Sequence, residues 1–382
     1  MNKIKILMTL GNSGRGGAQT FAMNVLRTID RERFQIDFVV EKNPPGGYYE
    51  EMKLLGSTVF LAPRFEIWNY ASYRKRYNDI IRFGNYDIIH GNVSSTAVIY
   101  LKEAKKMGVA TILHSHSSGY RGNWIERILK KLFSINAKKY ADYWFACSDS
   151  AARRLFGKEY DKNTRYYKIN NGIVIDTYKF DENTRNLVRR QLGISDKFVV
   201  GMVGSFSEAK NHEFIIDVFR RAIEKRNDCT LILVGNGPLE NTVRKKVDSF
   251  HMGNNVIFTG SVSNVPEYLM AMDLLVFPSV FEGLGIVAIE AQATGLKCLC
   301  STGVPKEASV SERCEFLPLN EDVWVEHILN SKDCNNNRDY FNELVRKSGY
   351  DIVDTVKLLS SLYTEMNTWR KNSDDKISAE TR

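Results

Sequence analysis

The stretch Leu274-Leu275-Val276-Phe277-Pro278-Ser279-Val280-Phe281-Glu282-Gly283-Leu284-Gly285-Ile286-Val287-Ala288-Ile289-Glu290-Ala291 reads as a strand, a glycine-broken turn and an apolar helix in direct succession. A helix that starts near Gly285 presents free backbone N–H groups at its first turn, and such groups can hold a diphosphate. Glu290 falls about a turn and a half into that helix, inside an otherwise apolar run. A carboxylate on an apolar helix face is costly unless it is satisfied. An ionised carboxylate only accepts hydrogen bonds, so the vicinal hydroxyls of a ribose would satisfy it; so would a buried ion pair.

The same alternation extends in both directions. Short β-branched runs at 3–10, 34–40, 58–62, 87–91, 110–114, 144–147 and 167–170 form one series, and runs at 198–203, 230–234, 256–259, 274–277 and 297–300 form a second, with helical patterns between most of them. Phe21, Val25 and Ile29, at spacing four, put one apolar stripe on the helix after the first strand. Strand–helix alternation points to parallel sheets with right-handed crossovers, and 382 residues exceed what one core usually supports. The expected fold is therefore α/β: two Rossmann-like, doubly wound domains at 1–172 and 197–345, a linker at 173–196 opening just after the turn signal Asn171-Gly172, terminal helices at 346–370 and a disordered polar tail at 371–382.

Composition narrows the class. The chain is 43% hydrophobic and 26% charged, ordinary for a globular protein. No apolar run approaches the ~18 residues of a membrane span, and the apolar start at 3–10 is too short for a signal-peptide core and reads as a strand. Six cysteines without a Cys-x-x-Cys argue against zinc ribbons and thioredoxin-like redox sites and for a cytoplasmic setting. Cys298 and Cys300 share one face of a strand and are expected in the core. Residues 1–172 carry 28 Lys+Arg against 15 Asp+Glu, while the remainder carries 25 against 30. The basic half is expected to meet something anionic. Nucleic acid fits the sign but not the sequence, which lacks interleaved aromatics on a strand platform and any reader motif.

Other segments carry chemistry. Gly11-Asn12-Ser13-Gly14-Arg15-Gly16-Gly17 joins the first strand to the first helix, where glycines let the backbone approach a ligand. It is neither a dinucleotide fingerprint, since Gln19 stands at the third glycine position counted from Gly14, nor a P-loop. His114 and His116 lie two apart at a strand end and His90 ends a neighbouring strand, so all three are placed at the sheet edge where ligands bind. Lys210 follows the first strand of the second half and suits a phosphate as a point charge.

With Glu282-x7-Glu290 the sequence resembles the family 4 retaining glycosyltransferases of the GT-B fold. Gly16-Gly17, His116, Asn171-Gly172-Ile173, Lys210-Asn211-His212, Gly235-Asn236-Gly237-Pro238-Leu239 and Glu290-Ala291-Gln292-Ala293-Thr294-Gly295 match in order and spacing over about 4–310. The forms His114-Ser115-His116 and Glu290-Ala291-Gln292, with Gly349-Tyr350-Asp351, look like the branch that makes bacterial exopolysaccharide and capsule repeat units. The resemblance implies two domains facing across a cleft, a terminal helix crossing back to the first domain, the acceptor on the first domain and a nucleotide-sugar, UDP-linked at family level, on the second. It implies Glu290 on the ribose hydroxyls and Glu282 near the donor sugar. It also implies Gly283, Leu284, Gly285 and Lys210 around the diphosphate, Val262 at the base, Gly16 and Gly17 at the donor, and His116 at the transferred sugar. Ser205 stands where the family commonly has an arginine, and a hydroxyl does not replace a bidentate cation.

The expected activity is sugar transfer with retention, catalysed through His116, Glu282 and Lys210, with no obligatory metal, since no Asp-x-Asp occurs in the chain. The acceptor implied is a lipid-linked or other glycan. Two alternatives use the same architecture: a nucleotide-sugar epimerase, and a catalytically lapsed glycan- or lipid-binding subunit. Trp124, Ile128, Leu132 and Ile135 recur at helical spacing among Arg121, Arg127, Lys130, Lys131, Lys138 and Lys139, the composition of an interfacial helix. Peripheral contact with the anionic inner face of the cell membrane is expected from it, against the plain reading of a core-facing stripe.

Overall fold

The computed structural model describes residues 3–41, 47–116, 124–331 and 337–380, with 371–380 and most of 124–131 described by backbone alone. The chain divides into two units, Met1–Ile173 with Ile352–Arg382, and Val174–Asp351.

The first unit is a seven-stranded parallel sheet: β1 (Ile4–Leu10), β2 (Phe34–Val40), β3 (Val59–Leu61), β4 (Ile88–Gly91), β5 (Ala110–Ser115), β6 (Tyr143–Ala146) and β7 (Tyr166–Lys168), in the order β3-β2-β1-β4-β5-β6-β7. The central strand β1 pairs Ile6 with Ile36 on one side and Ile88 on the other, and all three are buried. Strands covered on both faces favour apolar residues on both, and from Ile6 to Leu10 every residue of β1 is buried, with Thr9 the one polar member. The long helix Ile352–Glu380 belongs to this unit and buries Leu359, Leu362, Tyr363 and Met366. Residues 371–380, expected to be a disordered tail, continue that helix.

The second unit holds β8 (Phe198–Val203), β9 (Cys229–Val234), β10 (Val256–Gly260), β11 (Leu274–Phe277), β12 (Lys297–Ser301) and β13 (Cys314–Leu317), ordered β10-β9-β8-β11-β12-β13. This is the order 3-2-1-4-5-6 of a doubly wound sheet. Its core gathers Leu231, Leu233, Ile215, Phe219 and Trp324. β13 was not among the expected strands: it is a four-residue edge strand whose Glu315 faces outward to Lys297 and His327, so it lacks the apolar run that marks the others.

The segment 173–196 was expected as a linker; from Val174 on it is instead packed structure of the second unit. Asp181 caps the helix Glu182–Gln191 through the Thr184 amide. Arg185 and Arg189 from that helix are buried on Asp273, whose second oxygen also accepts from the Val199 amide at 2.7 Å. Cys298 and Cys300 are buried, as their shared face implied.

Candidate functional site

In each sheet the strand order reverses at one point, between β1 and β4 in the first unit and between β8 and β11 in the second. Loops leaving the carboxyl ends of the two strands at such a point diverge and leave room for a ligand.

In the second unit those loops carry Lys210 and Glu282. Val280 donates its amide to the Ala209 carbonyl at 2.8 Å, which ties the two loops together. The Lys210 stem runs across Gly204, where a Cβ would stand 3.2 Å from Lys210 Cε. Its ammonium lies 4.5 Å from the centre of the Phe277 ring and donates to Glu282 Oε1 at 2.6 Å. The lysine and the glutamate side chains are only 14% and 15% exposed. Gly285, at φ +88, turns the chain into the helix Ile286–Ala293; a side chain there would press on Val304 at 2.8 Å and on the Phe277 ring at 3.2 Å. Leu284 beside it is buried, and Gly283 lies in the same turn. The turn thus ends in backbone amides at a helix start, close to a largely buried cation.

Glu290 is buried one element deeper. Its Oε1 accepts from the Tyr178 hydroxyl at 2.9 Å, and its other oxygen carries no hydrogen bond among the described residues. Burial pushes its carboxyl above the ordinary value, while the Tyr178 hydrogen bond and the field of Lys210 pull the other way. The carboxylate is therefore satisfied on one side by a hydroxyl and not by an ion pair. Tyr178 is 112 positions away in sequence, and no local pattern could have announced it.

Neighbouring loops close around this place. Gly235, at φ +139, brings its backbone so near β8 that a Cβ would strike the Gly204 carbonyl at 2.1 Å, and the Phe206 amide donates to the Asn236 carbonyl. Val262 is half-buried in the loop after β10. Ser205 is exposed, with its hydroxyl 3.3 Å from that of Ser207, and puts no cation beside Lys210.

In the first unit, Gly16 precedes the helix Gly17–Thr28, and a Cβ on Gly17 would meet open space. The three histidines are drawn together but do not all face a ligand. His90 and His114 are fully buried, joined Nε2 to Nδ1 at 3.0 Å, with His90 Nδ1 at 2.7 Å from the Tyr363 hydroxyl. The expectation that His114 shares an open edge with His116 is corrected: His114 sits inside the sheet opposite Phe145, with the Phe21 ring against it, whereas His116 lies one residue past β5. His116 is held by Asn92, Nε2 to Oδ1, at 2.8 Å. Burial lowers His90 and His116 to about 3 and His114 further, so all three imidazoles are neutral near pH 7.

Of the basic amphipathic segment, 120–123 and the side chains of Arg127, Lys130 and Lys131 lie outside the described residues. The helix Trp124–Ala137 buries Ser134 and Ala137 and packs Phe133 against Phe65, while Ile128 and Leu132 remain 50% and 53% exposed. Of the stripe itself, the Trp124 side chain lies outside the described residues, Ile128 and Leu132 face outward and Ile135 is half-buried, while its neighbours pack inward. Ile67 and Trp68, close in sequence to Phe65, are exposed as well.

Comparison with known proteins agrees with the two-unit architecture. Residues 15–177 match the family model "Glycosyltransferase Family 4", and residues 184–347 match "Glycosyl transferases group 1". The chain is 28% identical to the putative glycosyltransferase EpsF of Bacillus subtilis, over 94% of this chain and 96% of that protein. It is 24% identical to the UDP-Gal:alpha-D-GlcNAc-diphosphoundecaprenol alpha-1,3-galactosyltransferase of Escherichia coli, covering 96% and 98%. The structure of Anabaena HepE with UDP and glucose superimposes with a TM-score of 0.78 at 17% identity, covering 94% of this chain and 99% of that one.

Proposed function

We propose that this chain, which belongs to the glycosyltransferases of group 1 and family 4, moves a sugar from a UDP-sugar to a hydroxyl of a lipid-linked glycan, with retention at the anomeric carbon, in the synthesis of a bacterial surface polysaccharide. The observation that carries the reading is the grouping at the switch point of the second unit: Lys210 on Glu282, the Gly283–Gly285 turn at a helix start, and Glu290 with one oxygen left for a ligand. The relatives support the donor and the setting, since one of them uses UDP-galactose on a diphosphoundecaprenol-linked sugar.

In this reading the second unit holds the donor. Glu290 accepts from ribose hydroxyls through its free oxygen. Lys210 has three N–H bonds and uses one on Glu282, which leaves donors for the diphosphate. When the bond from the sugar C1 to the diphosphate oxygen breaks, negative charge grows on the departing phosphate. Lys210 and the helix-start amides are preorganised for that charge. The new bond from C1 to the acceptor oxygen forms on the same face, and the acceptor proton passes to the departing phosphate. Glu282 and His116 are assigned to the transferred sugar. A neutral His116 serves as a hydrogen-bond partner rather than a charge.

The acceptor belongs to the basic first unit. Ile67, Trp68, Ile128 and Leu132 are its exposed apolar contribution to peripheral membrane contact. The test of the donor reading is calorimetric titration of the full chain with UDP and UDP-sugars, followed by transfer of labelled sugar to lipid extracts. Submicromolar to micromolar UDP binding that is lost in Lys210→Ala is expected; undiminished binding in that variant refutes the assignment. Flotation with anionic and neutral vesicles at low and high salt tests the membrane contact, which requires salt-sensitive recovery with anionic vesicles only.

A further inference from the structure

Glu41 follows β2 in the first unit, and its side chain is buried. The hydroxyls of Tyr73, Thr96 and Tyr77 converge on one of its oxygens, Oε1, with Thr96 at 3.0 Å and Tyr77 at 3.4 Å. No hydrogen bond reaches Oε2 among the described residues. A carboxylate has about four acceptor positions shared between two oxygens. One buried merely to knit the fold gains most from donors on both oxygens, because leaving an oxygen unmet in a desolvated place is costly. Among the described residues every donor is spent on one side.

The place is also particular. The Glu41 amide donates to the Leu10 carbonyl at 3.1 Å, at the root of the glycine-rich loop after β1. Thr96 precedes the helix Ala97–Lys106, which follows β4. The carboxylate therefore lies among the loops that flank the β1/β4 switch point, where a doubly wound sheet takes its ligand. Burial holds Tyr73 and Tyr77 far above their ordinary values, so both remain protonated. Burial also raises Glu41, opposed by the three hydroxyls and the field of Arg64. Glu290 in the second unit repeats the device, with one oxygen on a tyrosine hydroxyl and the other free.

We infer that Glu41 is an acceptor-recognition residue, its Oε2 accepting a hydrogen bond from a sugar hydroxyl of the acceptor while Tyr73, Tyr77 and Thr96 hold Oε1 in position. The inference rests on the reading that the first unit takes the acceptor of a glycosyl transfer. Its test uses the full chain and a panel of octyl glycosides (glucosides, galactosides and N-acetylglucosaminides of both anomers) as acceptor probes. Their binding is read by saturation-transfer difference NMR with and without UDP, and UDP binding by calorimetry. Glu41→Gln is expected to weaken binding of the octyl glycosides at least tenfold and to leave the UDP Kd unchanged. Should that variant not fold, the same readings on Glu41→Asp, which withdraws the oxygen by one methylene, decide the matter in the same way. Unchanged octyl-glycoside binding in a folded variant overturns the inference, and so does a parallel loss of UDP affinity, which marks a structural role. A wild-type chain that binds no member of the panel overturns it too. Failure of the wild type to bind UDP strikes the donor reading instead, and the titrations without UDP still decide on Glu41.

Discussion

At the scale of single residues, Glu290 offers the sharpest prediction because stability and affinity should move in opposite directions. Its fully buried carboxyl is raised by desolvation, so at pH 7 the charged form is the costly one in the fold. A group whose folded pKa is raised contributes stability below its unfolded pKa and loses it as pH rises. Glu290→Gln removes that cost and keeps an oxygen for the Tyr178 hydroxyl, so the melting temperature at pH 7 should rise. The amide nitrogen, however, takes the place of the free oxygen and presents donors to ribose hydroxyls. The loss of a charged hydrogen bond, about 1.5–3 kcal/mol, should weaken UDP binding roughly ten- to hundredfold. Unchanged affinity by calorimetry would remove Glu290 from the donor site. Ser205→Arg should have the opposite effect, tightening UDP binding by supplying a second cation beside Lys210; unchanged or weaker binding in the folded variant would show a site organised around the serine. These positions were legible in the sequence because each is chemically out of place: a carboxylate in an apolar helix, a hydroxyl where a cation is common. Glu41 was not, since a glutamate at a strand end is ordinary, and its three hydroxyl partners come from 32 to 55 positions away. His114 was misread because period two fixes the face of a strand but not the depth along it.

At the scale of elements, the strands rich in apolar and β-branched residues were readable to within a residue or two, as Phe198–Val203 and Phe34–Val40 illustrate. What escaped were elements held by tertiary partners. The edge strand Cys314–Leu317 owes its place to backbone pairing with β12, and the helix Glu182–Gln191 is anchored by charge rather than by an apolar stripe. That anchoring is testable. Asp273 is 3% exposed and takes Arg185, Arg189 and the Val199 amide, so it fixes both the helix and the start of β8. Removing one member of a buried ion network strands the others without a counter-charge, at a cost of about 3–5 kcal/mol. Asp273→Ala should therefore lower the unfolding free energy of the second unit, read from urea titration, by that much, while the triple variant that adds Arg185→Leu and Arg189→Leu should recover a large part of it. A loss below about 1 kcal/mol in the single variant would show the helix to be held by other contacts.

At the scale of the whole molecule, the two units carry different acid liabilities. The first unit buries His90 and His114 and half-buries His116, the first and last lowered to about 3 and the second further, chiefly by desolvation. The second unit buries one such group, His212, lowered to about 3 by burial and by the nearby Lys210 charge. A histidine whose folded pKa lies below its ordinary 6.5 gives the fold stability that is complete above about 6.5 and drains as pH falls toward 3, because the unfolded chain binds the proton first. The drain is about 1.4 kcal/mol per pH unit for each fully buried histidine, so His90 and His114 together outweigh His212. The first unit also depends on Glu103. Burial alone would raise that carboxyl, but hydrogen bonds from Arg74, Lys106 and Asn78 bring it to about 2, and its contribution is lost in the same acid direction below about 4.5. Glu41 and Glu290, both raised, act in the opposite sense, one in each unit, and largely cancel in the comparison. Between pH 7 and pH 5 the first sheet should therefore lose amide protection before the second. Hydrogen exchange read by mass spectrometry, corrected for the intrinsic pH dependence, resolves β1, β4 and β5 from β8, β9 and β11 in one experiment. Added UDP should raise protection around β8 and β11 by mass action and leave the early acid loosening of β4 and β5 in place. Equal loss of protection in both sheets, or earlier loss in the second, would show that the buried histidines do not set the acid limit of the fold.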